Sequence, residues 1–159
     1  FIEKLGELKT KNDIKDLLNL FREKLTMAKF LDSIDNLSSC NNYCVDSWID
    51  IKEKLGSGAE GIVFKSSIDY DGDDNTKHAL FAIKTPKNTT GNNDLLYEFI
   101  LYNITNSLRN IIPNFLLTFG LYSCKSKNID DIQNLKSLCD CETNCVNRTF
   151  LFTEYINII

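Results

Sequence analysis

Leu55-Gly56-Ser57-Gly58-Ala59-Glu60-Gly61-Ile62-Val63-Phe64-Lys65 is the stretch that decides the fold of this 159-residue chain. Its three glycines fall in the pattern G-x-G-x-x-G, and a β-prone run, Ile62-Val63-Phe64, comes directly after them. Glycine lets a backbone bend tightly and approach a ligand with no Cβ in the way. The amides exposed by such a bend can cradle phosphate oxygens. Two unrelated nucleotide sites share the pattern, and the element on its carboxy-terminal side separates them. A dinucleotide-binding fingerprint runs from a strand through the glycines into a helix. Here the residues after Gly61 are β-branched and aromatic, which favours a second strand. The reading is a hairpin folded over a nucleotide, with an ordinary glycine-rich hairpin as its plain alternative.

Working outward, Trp48 to Leu55 reads as the first strand, with Ile49, Ile51 and Leu55 towards the interior, and the second runs from Ile62 to about Ser67. Residues 69–77 form an acidic, turn-prone connection whose Asp spacing resembles a calcium loop without the closing Glu, so a solvated loop is expected. A third strand, Ala79 to Thr85, ends at Pro86, which cannot continue a ladder. Asn93-Asp94 would cap a helix from Leu95 to about Arg109, in which Leu96, Ile100, Ile104 and Leu108 share one stripe. Phe115 to Tyr122 reads as a fourth strand and Phe150 to Tyr155 as a fifth. Between them lies a long polar, cysteine-bearing loop, 124–148, with a short helix near Ile132 to Leu138. The fold class is α+β, a five-stranded antiparallel sheet with one packed helix.

Upstream, residues 1 to about 37 read as helical, with Leu17, Leu18, Phe21, Leu25 and Ala28 recurring at spacings of three and four. Asn12-Asp13 would cap the start. An amphipathic pair of helices packed on the domain is preferred to a partner-binding extension. The turn-rich residues 38–47 make a boundary, giving a helical extension over 1–47 and a sheet domain over 48–159.

Hydrophobic residues make up 43% of the chain, enough for a core. The net charge of −4, with no basic patch, argues against nucleic acid or anionic membrane as a partner. No apolar run approaches the ~20 residues needed to cross a bilayer, and the first residues do not form a secretory leader. The absence of an initiating Met and the apolar ending at Ile159 suggest a piece cut from a longer folded body. The even count of six cysteines invites a disulfide reading, yet nothing else looks secreted, so reduced thiols in a cytoplasmic protein are expected. Cys124, Cys139, Cys141 and Cys145 are the alternative, a candidate zinc set without the usual C-x2-C hooks. Glycosylation-type triplets at Asn88 and Asn147 carry no weight in so Asn-rich a chain.

Lys84 sits mid-strand among apolar residues in Ala82-Ile83-Lys84, where an ammonium must find an anion or reach water. Glu98 is the only acidic side chain between Asp94 and Asp130 and leans inward near Leu95 and Tyr102. A helix packed on the sheet can bring Glu98 to Lys84 and hold the ammonium ready for nucleotide phosphates. Ordinary surface charges are the bland alternative.

Taken jointly, Gly56-x-Gly58-x-x-Gly61-x-Val63, Ala82-Ile83-Lys84, the helical Glu98, Ile112-Pro113-Asn114-Phe115 and Phe152-Thr153-Glu154-Tyr155 resemble the amino-terminal lobe of eukaryotic-type protein kinases, in order and content, over residues 49–159. The resemblance implies that Leu55, Val63 and Ala82 sandwich the adenine of ATP. The amides of Ser57, Gly58, Ala59, Glu60 and Gly61 would cover its phosphates. Lys84, oriented by Glu98, would contact the α- and β-phosphates. Thr153 would be the gatekeeper, and the Glu154 carbonyl and Ile156 amide would meet the adenine edge. Glu60 stands where many family members carry an aromatic residue. The Asn-, Ile- and Lys-rich texture and the cysteine-rich insert are similar to kinase-like proteins of large DNA viruses, which would place the chain in host cytoplasm or a virion.

The family's H-R-D-x-x-x-x-N loop and D-F-G motif do not occur in these residues, and the only histidine, His78, precedes Lys84. The resemblance therefore implies an ATP-gripping lobe of a serine/threonine-type kinase, inactive alone. Mg2+ and a protein substrate would be engaged only with a carboxy-terminal lobe. A pseudokinase or regulatory binding module, a small-molecule kinase of similar fold, and a non-enzymatic cysteine-loop interaction protein remain open beside it.

Overall fold

The computed structural model describes residues 11–32, 48–59, 61–71, 76–109, 111–112, 115–126, 137–139 and 145–156. Helix α1 (Lys11–Asp32) is followed by β1 (Asp50–Ser57), β2 (Ile62–Asp71), β3 (Thr76–Thr85), a 3-10 turn (Thr89–Gly91), α2 (Asn92–Leu108), β4 (Thr118–Ser126) and β5 (Val146–Glu154). The five strands form one sheet in the order β1-β2-β3-β5-β4, and every neighbouring pair is antiparallel. The expected α+β architecture with a five-stranded antiparallel sheet is therefore present, with one helix before the sheet and one between β3 and β4 among the described residues.

The β2–β3 hairpin sets the two faces. Its register pairs Phe64 with Ile83, Ser66 with Phe81 and Ile68 with Ala79, and all six are buried. The alternate pairs, Val63 with Lys84 and Lys65 with Ala82, point the other way, because side chains alternate across a strand. The first face receives α1. Leu17, Phe21 and Leu25 recur at every fourth position and are all buried. The Phe21 ring stacks on Phe119 at 4.8 Å between centroids and meets Phe81 edge-on at 5.1 Å, with Trp48 and Phe152 completing the cluster. Gly120 of β4 lets the helix come this close, since a Cβ there would run into Leu25. Leu17, Phe21 and Leu25 thus share the sheet's own core. The second helix expected in the first 37 residues lies outside the described residues.

Several boundaries differ from the sequence reading. The β2–β3 ladder runs on to the Asp71–Thr76 pair, because backbone pairing continues through the polar residues that composition marks as a connection. β1 and β4 begin two to three residues later than expected, and β5 begins earlier, at Val146. α2 starts at Asn92 with no side-chain cap, so the Asn93-Asp94 cap is not made. The expected stripe Leu96, Ile100, Ile104 and Leu108 faces outward, and Leu95 is the residue that α2 buries. Periodicity locates a helix but not which side is covered. Most of the short helix expected at 132–138 lies outside the described residues.

The cysteines overturn the reduced-thiol expectation. Cys124 on β4 is joined to Cys139 by a disulfide with the Cα atoms 5.6 Å apart, inside the normal bridging range. Cys145 is also disulfide-bonded, and no described cysteine is free. A bridged sulfur offers no thiolate, so Cys124, Cys139 and Cys145 cannot ligate zinc in this state. Cys141 lies outside the described residues. The bridge fixes Leu138, fully buried, into the α1-side core.

Candidate functional site

Lys84 lies one residue past Ile83 and one before Thr85, both buried in or against the core, so strand alternation sends it to the opposite face. There α2 meets it. The Lys84 ammonium donates to both carboxylate oxygens of Glu98, at 3.0 Å to Oε1 and 2.7 Å to Oε2. The pair that the sequence suggests is formed, and both side chains are about three-quarters shielded. Tyr102, one turn along α2, donates its hydroxyl to Glu98 Oε1 at 3.0 Å.

Burial, reinforced by the hydrogen bond to Glu98 and that residue's negative charge, pushes the Tyr102 phenol up from its ordinary 10.0 to about 12. A raised acid pKa favours the protonated form in the fold. Its stabilisation is fully present below pH 10.0 and is lost as pH climbs from there through about 12. A phenolate absorbance titration is expected to show a late-titrating component that is lost in Tyr102→Phe; an unchanged titration in that variant would assign the late phenol elsewhere.

The glycine turn closes beside this pair. Gly58 donates its amide to the Gly61 carbonyl at 2.9 Å, and Ser57–Ile62 is the last pair of the hairpin. The three glycines are not equivalent. A Cβ on Gly61 would lie 2.5 Å from the Thr85 carbonyl oxygen, a collision with backbone, so the fold itself demands glycine there. A Cβ on Gly56 or Gly58 would meet nothing within 4 Å. Gly61→Ala is therefore expected to destabilise by about 1–3 kcal/mol, while Gly56→Ala and Gly58→Ala stay within ~1 kcal/mol of the parent in urea unfolding. Equal losses at all three would remove the distinction.

Behind the turn a cavity of about 660 Å³ is lined by Ala59, Lys84, Lys87, Asp94, Glu98 and Tyr102, among others. Val63 sits directly across from Lys84 and also from Gly56, and Ala82 sits across from Thr153. Val63, Ala82, Lys84 and Thr153 thus occupy one face of three adjacent strands. Leu55 stays exposed at an irregularity between Lys54 and Gly56. Ser57 ends β1, and Glu60 lies outside the described residues. Ile156 lies just past the end of β5. Nothing in this chain matches a family model, a curated protein or a solved structure in the comparisons made with each.

Sequence reasoning assigns Glu154 only a backbone role and misses its side chain. The Glu154 carboxylate is buried and accepts from both terminal nitrogens of Arg109, with Nη2 at 2.9 Å from Oε2. It also accepts from the Leu117 amide at 2.7 Å. Arg109 further donates to the Phe115 carbonyl at 3.1 Å. No spacing rule links residues 45 positions apart. Among the described residues no group of three His, Cys, Asp or Glu could hold a metal ion. No described helix is long and apolar enough to cross a membrane.

Proposed function

We propose that this chain is the nucleotide-gripping lobe of a protein kinase, whose whole form transfers the γ-phosphate of ATP to serine or threonine hydroxyls of proteins. The observation that carries the reading is the Lys84–Glu98 pair beside a glycine turn. An ammonium fixed by a carboxylate is a preorganised phosphate contact. Gly56 and Gly58, which the chain's own packing does not require, leave room for a ligand to approach the turn closely. Val63, Ala82 and Thr153 share the sheet face that carries the ammonium, where the resemblance puts the purine ring.

The division of labour is set by the residues the chain contains. With no H-R-D or D-F-G motif among the 159 residues, nothing here removes the proton from a substrate hydroxyl or binds the metal in the family's way. These residues would hold and orient ATP, and the remaining chemistry belongs to residues outside them.

The test is ATP-dependent thermal stabilisation, measured on this chain and on versions carrying sequence beyond Ile159. Binding to the folded state raises the melting temperature. Lys84→Ala is expected to weaken ATP about 10- to 100-fold, the worth of a charge-assisted contact. Unchanged affinity would remove the phosphate role from Lys84, and no stabilisation in any version would end the proposal.

A further inference from the structure

We infer that Asn92, Asn106 and Arg109 are positioning residues that hold α2 where Glu98 reaches Lys84. The inference rests on the proposed nucleotide role and names what keeps that site assembled. α2 has little apolar grip on the sheet. It buries Leu95 and half-buries Phe99, while Leu96, Ile100, Leu101 and Ile104 remain exposed. Hydrophobic packing usually fixes an amphipathic helix, so something else must fix this one.

Polar contacts do so at both ends. At the first residue of α2, Asn92 donates its amide to the Asn147 carbonyl at 3.0 Å and accepts from the Thr149 amide at 3.1 Å. The β3–β5 ladder covers only residues 151–154 of β5, so these backbone groups have no partner in β3's ladder. Near the other end, Asn106 donates to the Thr118 carbonyl at 2.8 Å and accepts from the Thr118 amide at 3.0 Å. β4 is the sheet's outer strand, and Thr118 is its first residue. Each carboxamide therefore presents one donor and one acceptor to a strand backbone, as a neighbouring strand would. Arg109, just past α2, adds the ion pair to Glu154 at the end of β5.

The two asparagines flank Glu98 by six and eight residues, about 9 and 12 Å along the axis at 1.5 Å per residue. Neither contacts the Lys84–Glu98 pair directly. Their influence on a nucleotide passes through where the Glu98 carboxylate is held.

The experiment is a double-mutant cycle with ATP titrated calorimetrically. Asn92→Ala and Asn106→Ala are made singly and together, in the parent and in a Glu98→Ala background. Single variants give a reading even where the combined one folds poorly. Each is expected to weaken ATP about fivefold in the parent and to have no effect once Glu98 is gone. Equal weakening in both backgrounds would make the asparagines merely structural and overturn the inference. A nucleotide-free arm tracks the Lys84 side-chain ammonium by NMR. The ion-paired signal of the parent should broaden in the asparagine variants, and an unchanged signal overturns the inference. If that signal responds while the parent binds no ATP, the positioning role stands and the nucleotide reading fails.

Discussion

Phe21→Ala is expected to lower the stability of the fold by about 3–5 kcal/mol, the usual range for truncating a buried aromatic. Phe21 is fully buried, and its ring touches Trp48, Phe81, Phe119 and Phe152, which come from the segment before β1 and from three separate strands. Removing it deletes a side chain that contacts all four rings. The neighbours that would have to collapse into the gap are themselves held by the sheet ladder, so relaxation is limited. Urea unfolding measures the loss as a fall in midpoint at unchanged slope. A loss below ~1 kcal/mol would mean that α1 is not seated on the sheet. Since a domain has only about 5–15 kcal/mol in hand, the expected loss is a large share of the total, and α1 cannot be treated as a removable appendage.

Arg109→Met should be almost as damaging, for an electrostatic reason. The Glu154 carboxylate is only 4% exposed, and Arg109 neutralises both of its oxygens. Without the guanidinium, the Leu117 amide is the donor still reaching it among the described residues. Breaking one side of a buried pair costs about 3–5 kcal/mol, because the surviving charge stays desolvated and uncompensated. Replacing both members by similarly shaped neutral groups should cost far less. Arg109→Met combined with Glu154→Gln is therefore expected to recover a substantial part of the single-variant loss in chemical denaturation. If the double variant falls as far as the sum of the two singles, the pair is not coupled and the charge argument fails.

The contrast between these residues shows how far the sequence is legible. Leu17, Phe21 and Leu25 announce a helix face by spacing alone, and the strand content around the glycine turn comes from β-branched and aromatic runs. The Lys84–Glu98 contact is also readable, because an ammonium in an apolar strand needs an anion and Glu98 is the one acidic residue between Leu95 and Arg109, on the helix's inward-leaning side. Asn92, Asn106 and Arg109 carry no such mark. Their partners are backbone groups or a carboxylate far along the chain, and nothing in local pattern says which strand edges will be left unpaired. The outward face of α2 misleads for a related reason: Leu96, Ile100, Ile104 and Leu108 repeat like a core stripe, but a helix tethered by its ends need not bury them. The cysteines mislead because charge and leader-like sequence speak only to compartment, whereas bridging depends on Cys124 and Cys139 meeting in space.

The placement of α1 also governs how the molecule must be made. Phe21 leaves the ribosome well before Phe119 and Phe152, against which it finally rests. At roughly 5–20 residues per second, on the order of ten seconds separate their synthesis. Throughout that interval the nascent helix displays Leu17, Phe21 and Leu25 with no complete sheet to receive them, which makes this helix a part of the unfinished polypeptide that a chaperone would grasp.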